Sequence, residues 1–275
     1  WVSPQMWPDG LDPLISAVKA KGMQFGLWVE PEMVNPDSDL ARAHPEWIMQ
    51  PGHGRLPIEA RHQQVLNLAI PGAYRHVLEQ LSAVFTDNHI DYIKWDHNRD
   101  VTEPVHNGRY GLHEQTEACY KLFDDLKSQF PKLEIESCSS GGGRIDVGIL
   151  EVADRVWVSD CVDPVERADI QRYTSLLVPP EMMGEHVGDS PAHSTHRATS
   201  QEMRMAMAFF GHMGIEWNLL KEPQEDIDAL AEWVAEFKKH REWFAVDAVV
   251  HSDAADPAVR LDGVVMPNQA AAIYR

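Results

Sequence analysis

The sequence feature that most restricts the fold is a regular alternation of short β-rich runs with amphipathic helices. The apolar, β-branched and aromatic runs predict strands at residues 24–29, 91–95, 133–137, 156–159, 182–187 and 215–218. Apolar residues at helical spacing predict helices at residues 11–21, 73–88, 114–130, 145–152, 165–177, 200–211 and 225–243. This alternation is typical of an α/β protein with a parallel sheet.

The predicted strands share a polar residue at or just after their carboxyl ends. These residues are Glu30, Asp96, Cys138, Asp160 and His186. A (β/α)8 TIM-type barrel gathers such residues on one catalytic face, so we favour a barrel, with a doubly wound sheet as the alternative. The series is two strands short of eight and begins with a helix, so we expect the first two β/α units to lie upstream of this chain.

The last part of the chain has a different pattern. Residues 244–275 lack helical periodicity and alternate apolar segments with Asp and Pro turns. We therefore expect residues 1–243 to form the barrel, truncated at its N-terminus. Residues 244–275 are expected to begin a small antiparallel β domain that this chain does not complete.

The composition narrows the class of ligand. The chain has 24 Lys and Arg against 43 Asp and Glu, a net charge of −19, which disfavours nucleic acid and anionic lipid and suits a neutral sugar. No long apolar run predicts a membrane span. The three cysteines provide no disulfide framework, which favours a reducing, cytoplasmic setting.

Two carboxylates directly follow predicted strands. Asp96 follows the run that begins at Asp91, and Asp160 follows the run that begins at Arg155. Two carboxylates from two strand ends are the minimum set of catalytic groups for hydrolysing a glycosidic bond. Taken singly, each of them is better explained as the cap of the next helix.

Two further segments carry groups suited to a sugar. Trp28 precedes Glu30 and Glu32, and an indole face stacks favourably on the C–H face of a sugar; the alternative is a core Trp followed by helix-capping acids. Ser137–Arg144 is a glycine-rich turn after a strand, without the Gly-Lys-Ser/Thr of a phosphate loop. Cys138 and the amides of this turn suit sugar hydroxyls, and plain turn chemistry is the alternative.

The remaining motifs favour ordinary surface roles when each is taken alone. His186, His193 and His196 lack the spacing of metal ligands, so we predict surface or loop histidines and no metal site. Arg61, at the start of another extended run, is by itself an ordinary surface arginine.

Taken in order, four segments resemble the bacterial α-galactosidases of glycoside hydrolase family 36. They are Trp28–Leu40, Lys94–Arg99, Glu136–Arg144 and Val158–Asp160, within a similarity that runs from about Pro8 to Trp243. The resemblance implies a (β/α)8 barrel that needs no metal or cofactor. It implies retaining hydrolysis of terminal α-galactosyl residues from raffinose- or melibiose-type sugars.

The resemblance also implies roles for individual residues. Asp96 matches the nucleophile and Asp160 the general acid/base, with Asp163 as a rival for the second role. The positions that match galactose contacts are Trp28, Arg61, Lys94, Cys138 and Gly141. A retaining mechanism places the two catalytic carboxyl groups about 5–5.5 Å apart.

The local sequence suggests how the two carboxyl groups are tuned. Lys94 lies two residues before Asp96 and is expected to help keep it ionised. The apolar neighbours of Asp160 are expected to raise its pKa; they are Trp157, Val158 and Cys161.

The resemblance leaves alternatives open. The N-terminal β-sandwich of the family and its Asp-Asp pair after the second barrel strand are not in this chain. The same fold also serves α-N-acetylgalactosaminidases and raffinose-type galactosyltransferases, and a non-catalytic sugar-binding module is a further alternative. An α-galactoside is the expected partner, and the full-length form is expected to be a homo-oligomer.

Overall fold

The computed structural model describes residues 2–52, 54–245, 248–253, 256, 259–266 and 271–275. The chain divides into two compact units, Trp1–Asp154 and Arg155–Arg275. Each unit contains parallel strands that are separated in sequence by helices. The α/β class predicted from the alternation of elements is therefore confirmed.

The first unit follows the predicted order of helices and strands. Its helices are α1 (Asp12–Lys19), α2 (Asp39–Ala43), α3 (Pro71–Asn88), α4 (Leu112–Gln129) and α5 (Val147–Val152), with a 3-10 turn at Pro45–Trp47. Its strands are β1 (Gly26–Val29), β2 (Met33–Val34), β3 (Gln64–Val65), β4 (Tyr92–Trp95), β5 (Val105–His106), β6 (Arg109–Tyr110) and β7 (Glu134–Ser137). The helix α2 was not predicted, because its five residues are too few to show a helical period.

Strands β1, β4 and β7 form the parallel sheet of the first unit. Val29 pairs with Trp95, and Trp95 pairs with Ser137, so the three strands end at the same level. Ile93, Trp95 and Ile135 lie on one face of this sheet and are fully buried. The residues that follow the three strands are therefore brought side by side.

Helix α4 covers this sheet with the apolar face that its sequence predicted. Its buried apolar residues recur at helical spacing and are Cys119, Leu122, Phe123 and Leu126. The ring of Phe123 packs 4.6 Å from that of Trp95, measured between centroids. This aromatic contact fixes the helix to the strand that leads into Asp96.

The second unit has its own parallel strands and an antiparallel sheet. Its helices are α6 (Pro164–Thr174), α7 (Gln201–Ala208) and α8 (Gln224–His240), with 3-10 turns at Pro180–Met182, Leu219–Lys221 and Arg241–Ala245. Strands β8 (Arg155–Trp157), β9 (Met183–Gly188) and β10 (His212–Glu216) pair in parallel. Strands β11 (Ala248–Asp253), β12 (Arg260–Val265) and β13 (Ala272–Tyr274) pair antiparallel.

Strand β10 begins three residues before the predicted start at residue 215. The early residues have little strand character, because they include His212 and Gly214. Gly214 is required by close packing: a Cβ at this position would lie 2.5 Å from the ring of His186 on β9. The strand is therefore set by its pairing with β9 rather than by its own composition.

Two apolar clusters hold the second unit together. One joins β9, α7 and α8 through buried residues, namely Val187, Met205, Ala208 and Leu230. The other joins the end of α7 to the antiparallel sheet and contains Phe209, Phe210, Phe244 and Val264. Among the described residues, no helix is both long enough and apolar enough to cross a membrane.

Replacing Leu230 by Ala should destabilise the protein strongly. Leu230 is 3% exposed in the first cluster, and deletion of a buried leucine side chain costs about 2–5 kcal/mol through lost contacts and the cavity left behind. The matched control is Leu220→Ala at a residue 98% exposed, where we expect a change under about 0.5 kcal/mol. Urea unfolding followed by tryptophan fluorescence measures both, and equal losses would contradict the assigned core.

Candidate active site

The site in the first unit is built where β1, β4 and β7 end together. The ladder of the sheet extends one residue beyond these strands, because Asp96 N donates to Val29 O at 2.9 Å. On the other side, Cys138 N donates to Trp95 O at 2.7 Å. Asp96 and Cys138 therefore lie on adjacent strand ends, as the polar residues of the sequence predicted.

Asp96 is a buried carboxylate surrounded by hydrogen-bond donors. Its Oδ2 accepts from Trp28 Nε1 at 3.1 Å and from Asn98 Nδ2 at 2.5 Å. Its Oδ1 accepts from the backbone N of His97 at 2.8 Å, and the thiol of Cys138 is a further partner. Burial by itself would raise the pKa of Asp96, but these donors together hold the pKa below its usual value. The group is therefore ionised at neutral pH.

Cys138 is suited to donate a hydrogen bond and unsuited to act as a nucleophile. The residue is 1% exposed, and burial together with the adjacent Asp96 raises the pKa of the thiol to about 12. The backbone of Gly141 hydrogen-bonds to the same sulfur. Gly141 has a φ of 81°, a left-handed conformation that glycine adopts without strain. The glycine-rich turn thus holds Cys138 beside Asp96.

Trp28 does not belong to the core, which was the alternative interpretation of this residue. It is 54% exposed on β1 while its indole N–H is fixed by Asp96. The acids that follow do not cap a helix either, because the next helix, α2, is capped by Ser38. Glu30 instead accepts hydrogen bonds from Asn98 N and Gln63 Nε2 at 3.1 and 2.7 Å.

Two predicted site residues have different surroundings from those expected. Lys94 was expected to keep Asp96 ionised, but its Nζ lies 3.2 Å from Glu136 Oε1, on the neighbouring strand. The donors named above lower the pKa of Asp96. Arg61 is exposed in a turn with a φ of 54°. The described structure does not place it against Asp96, although its neighbour Gln63 bonds to Glu30.

In the second unit, Asp160 is exposed at the end of β8. Its Oδ1 accepts from Trp157 Nε1 at 2.8 Å. The neighbours Trp157 and Val158 are buried, as their apolar character predicts, yet they do not enclose the carboxyl group. The expected apolar enclosure of Asp160 is therefore not observed.

The loop that carries Asp160 is held in place by a buried arginine. Arg167 is fully buried, its guanidinium lies 4.6 Å from the Trp157 ring centroid, and it donates to the carbonyl oxygens of Ser159 and Cys161. These two carbonyls flank Asp160 on either side. One side chain thus fixes both the indole that binds the carboxyl group and the backbone that bears it.

Asp163, the rival for the acid/base role, is committed to structural contacts. It is fully buried, and its side chain caps α6 by accepting from Val165 N. Its other oxygen accepts from Thr195 Oγ1 and from an Nη of Arg197, each at 2.6 Å. Burial opposes ionisation, but these donors hold the pKa of Asp163 below its usual value.

The histidines occupy separate surroundings. His186 Nδ1 lies 3.1 Å from Glu216 Oε2 and its ring packs 4.3 Å from Trp157, whereas His193 and His196 are exposed. Within the described ranges, no group of three or more His, Cys, Asp or Glu side chains is arranged to hold a metal ion.

Comparison with known protein families extends these observations. Residues 1–247, nearly the whole chain, match the family described as Melibiase. The chain belongs to the melibiase family. Together with the solved family 36 structures that superimpose on this chain, this match confirms the resemblance to the family 36 glycoside hydrolases.

Individual melibiase relatives agree in sequence and in structure. An α-galactosidase of Escherichia coli is 41% identical over 271 residues, which is 98% of this chain and 38% of that protein. The crystal structure of the α-galactosidase from Lactobacillus brevis superimposes with a TM-score of 0.94 at 36% identity, covering 100% of this chain and 38% of that one.

A variant of the family 36 α-galactosidase AgaA from Geobacillus stearothermophilus, in complex with raffinose, also superimposes closely. It gives a TM-score of 0.93 at 33% identity, over 99% of this chain and 39% of that one. This chain therefore spans about two fifths of the length of the relatives it matches.

Several residues around this site were not predicted. Asn98 makes the short bond to Asp96, and a buried group formed by Glu32, His97 and Arg144 lies behind it. All four residues lie within the segments that carry the family resemblance. Their contacts could not be predicted from the sequence, because each contact joins loops that follow different strands or depends on a local turn.

Asp163→Asn should destabilise the protein while Asp160→Asn should not. The first change removes a charge that binds Arg197 and turns an amide toward donors, which costs about 1–3 kcal/mol at pH 7. The second changes an exposed group with one bond, at a cost under about 0.5 kcal/mol. Urea unfolding at pH 7 compares both with the parent.

The same pair of variants has a pH signature. The pKa of Asp163 is lowered on folding, so the ionised carboxylate stabilises the folded state. This stabilisation is complete above the pKa in the unfolded chain, about 3.9, and is lost as the pH falls through the pKa in the folded state. The difference in the free energy of unfolding between the parent and Asp163→Asn should therefore become smaller below about pH 4. A gap that is constant with pH would show that Asp163 is not ionised.

Proposed function

We propose that this chain carries the galactosyl-cleaving centre of an α-galactosidase, with Asp96 as nucleophile and Asp160 as general acid/base. The observation that carries the proposal is the ionised, almost enclosed carboxylate of Asp96 beside the exposed indole of Trp28. An indole suits the apolar face of a sugar, and an ionised carboxylate suits attack on its anomeric carbon. The relatives that match this chain are named α-galactosidases.

The proposed reaction is a double displacement with both protons accounted for. Asp96 attacks the anomeric carbon and forms an ester bond, while the bond to the leaving oxygen breaks and that oxygen takes the proton of Asp160. Asp160 then removes a proton from water, whose oxygen attacks the same carbon and releases Asp96. The two inversions return galactose with its original α configuration.

The surroundings of Asp160 support its part in this scheme. A general acid/base must be recharged with a proton in every cycle, and an exposed carboxyl group exchanges protons directly with water. Its direction is set by the bond from Trp157, and Arg167 fixes the backbone on both sides. Asp163 lacks this freedom because both of its oxygens are occupied.

The substrate we propose is a terminal α-galactoside of the raffinose type. Relatives of this chain have been solved with raffinose and with stachyose. Trp28 and Cys138 are the proposed galactose contacts closest to Asp96, since both hydrogen-bond to its carboxylate. Lys94, Arg61 and Gly141 complete the proposed set, and their role rests on the match to the family motifs.

The finer architecture is also a proposal. We propose that residues 1–243 belong to a (β/α)8 barrel and that residues 244–275 begin a separate β domain. The parallel strands of each unit and the antiparallel strands β11–β13 support this division. Assembly as a homo-oligomer and a cytoplasmic location stay predictions from the sequence.

Loss of the Asp96 carboxylate should abolish hydrolysis. We expect the complete gene product that contains this chain to release nitrophenol from p-nitrophenyl α-galactoside, and Asp96→Asn to lower kcat by about 10⁴-fold or more, since a neutral amide is a poor nucleophile. The α-N-acetylgalactosaminide of nitrophenol, tested in parallel, separates the two hydrolase specificities. Activity of the variant within tenfold of the parent would overturn the assignment.

Rescue by azide distinguishes the two carboxylates. In Asp160→Ala, azide should attack the galactosyl enzyme from the face that Asp160 serves and give α-galactosyl azide. In Asp96→Ala, azide should replace the nucleophile on the opposite face and give β-galactosyl azide. Proton NMR of the products reads the configuration. The same azide anomer from both variants would contradict the division of roles, and α-galactosyl azide from Asp163→Ala would transfer the acid/base role to Asp163.

A further inference from the structure

A buried charged cluster lies behind Asp96 and uses none of the groups that the proposed reaction requires. Glu32, which follows β1, is 1% exposed, and its Oε1 accepts from Trp95 Nε1 at 2.9 Å and from Arg144 Nη2 at 2.6 Å. Its Oε2 lies 3.3 Å from His97 Nδ1. The burial of Glu32 opposes ionisation, but Arg144 and His97 hold its pKa well below the usual value.

Arg144 connects this cluster to a third loop and to a helix. It follows the glycine-rich turn after β7, and its Nη2 lies 3.1 Å from His97 Nδ1. Its Nη1 donates to the buried Sγ of Cys119 on α4 at 3.1 Å. One guanidinium therefore contacts the loops after β1 and β4 and the helix that covers the sheet.

Directed hydrogen bonds and charge contribute strongly to the position of these groups. A cavity of about 300 Å³ borders the cluster and is lined in part by Glu32, His97, Ser139 and Arg144. Side chains that line a cavity lose packing contacts on that side, so their hydrogen bonds and charge have a larger part in fixing them. The cluster therefore sets the arrangement of the loops that bear it.

The cluster is joined to the nucleophile by the backbone of residues 96–98. The N–H of His97 donates to Asp96 Oδ1, and the carbonyl of His97 accepts from Ser139 Oγ at 3.3 Å. The N–H of Asn98 donates to Glu30 Oε1, so the segment is bound on both sides. The imidazole of His97 is the point at which Glu32 and Arg144 act on this segment.

We propose that Glu32 and Arg144 are positioning residues, which fix the peptide of His97 and through it the orientation of the Asp96 carboxylate. The inference rests on the proposed role of Asp96 as nucleophile. It assigns the second acid of the Trp28–Glu32 motif and the arginine that ends the glycine-rich turn to the same task. Neither side chain needs to touch the sugar for this purpose.

A purely stabilising role is a weaker explanation. Burying an ion pair costs desolvation energy, and neutral side chains of similar size often replace such pairs without loss of stability. Removing one partner alone is strongly destabilising, because it leaves an uncompensated buried charge. Removing both charges together therefore separates the two roles. If the pair only stabilises the fold, the double variant should regain its activity along with its stability. If the pair positions Asp96, the double variant should regain stability but not activity.

The test compares Glu32→Gln, the double variant Glu32→Gln/Arg144→Met and a control, Lys127→Met. The control removes the cation of another ion pair in the same unit, Lys127 on α4 with Asp154 in the connection after α5, which has no contact with Asp96 in the described structure. Kinetics on p-nitrophenyl α-galactoside give kcat and KM, thermal unfolding gives stability, and a galactose-configured cyclophellitol aziridine measures the attack of the nucleophile directly. All variants are made in the complete gene product.

We expect both cluster variants to lose about 100-fold in kcat, the loss typical of a nucleophile displaced by roughly 1 Å, with KM changed less than about threefold. The rate of inactivation by the aziridine should fall by the same factor. The double variant should have a Tm close to that of the parent and a kcat as low as that of Glu32→Gln. It therefore tests the positioning role even if Glu32→Gln does not fold. Lys127→Met should keep the parental kcat.

Three results would overturn the inference. The first is a kcat equal to that of the parent in either folded cluster variant. The second is an equal loss of kcat in the Lys127→Met control. The third is a cluster variant with a low kcat whose rate of inactivation by the aziridine is unchanged. A parent that cleaves no α-galactoside overturns the proposed function itself. An active parent with unimpaired cluster variants overturns only the role of Glu32 and Arg144.

Discussion

The site in the first unit depends on the parallel hydrogen-bond ladder that joins β1, β4 and β7. Because this ladder extends one residue past the strands, through Asp96 N to Val29 O and Cys138 N to Trp95 O, it fixes the spacing of the groups that follow. A shift in register would move each of these residues to the other face of the sheet. The carboxylate, the indole and the thiol converge because their backbones share one ladder.

Two different physical means keep the two carboxylates of the proposed mechanism in place. Asp96 is held by neutral donors within hydrogen-bond distance, and these donors stabilise its charge. The loop of Asp160 is held by Arg167, which donates to backbone carbonyls of that loop and pairs its charge with Glu185 rather than with Asp160. In both arrangements the oxygen atoms of the carboxylate accept hydrogen bonds from neutral donors.

Much of this arrangement followed from the sequence, and the exceptions have a common cause. The strand ends at Asp96, Cys138 and Asp160 were predicted, because parallel strands place their ends at one edge. The partners of Lys94 and Glu32 were not, since Glu136 and Arg144 lie on other strands or loops and no local pattern pairs them.

Exposure was the other quantity that the sequence could not provide. The apolar neighbours of Asp160 are buried as expected, but the direction of its carboxyl group depends on the bond to Trp157. The helix α2 and the start of β10 were likewise set by a cap and by strand pairing rather than by periodicity.

The span of the Glu32–Arg144 contact has a consequence for how the first unit folds. The two residues are 112 positions apart, and Trp28 and Asp96 are 68 apart. Closing such long loops costs chain entropy before any contact energy offsets that cost, so structures rich in these contacts fold slowly. On the ribosome, Glu32 is synthesised 112 residues before Arg144. Its contact with the guanidinium therefore cannot form until β7 and the glycine-rich turn after it have been synthesised.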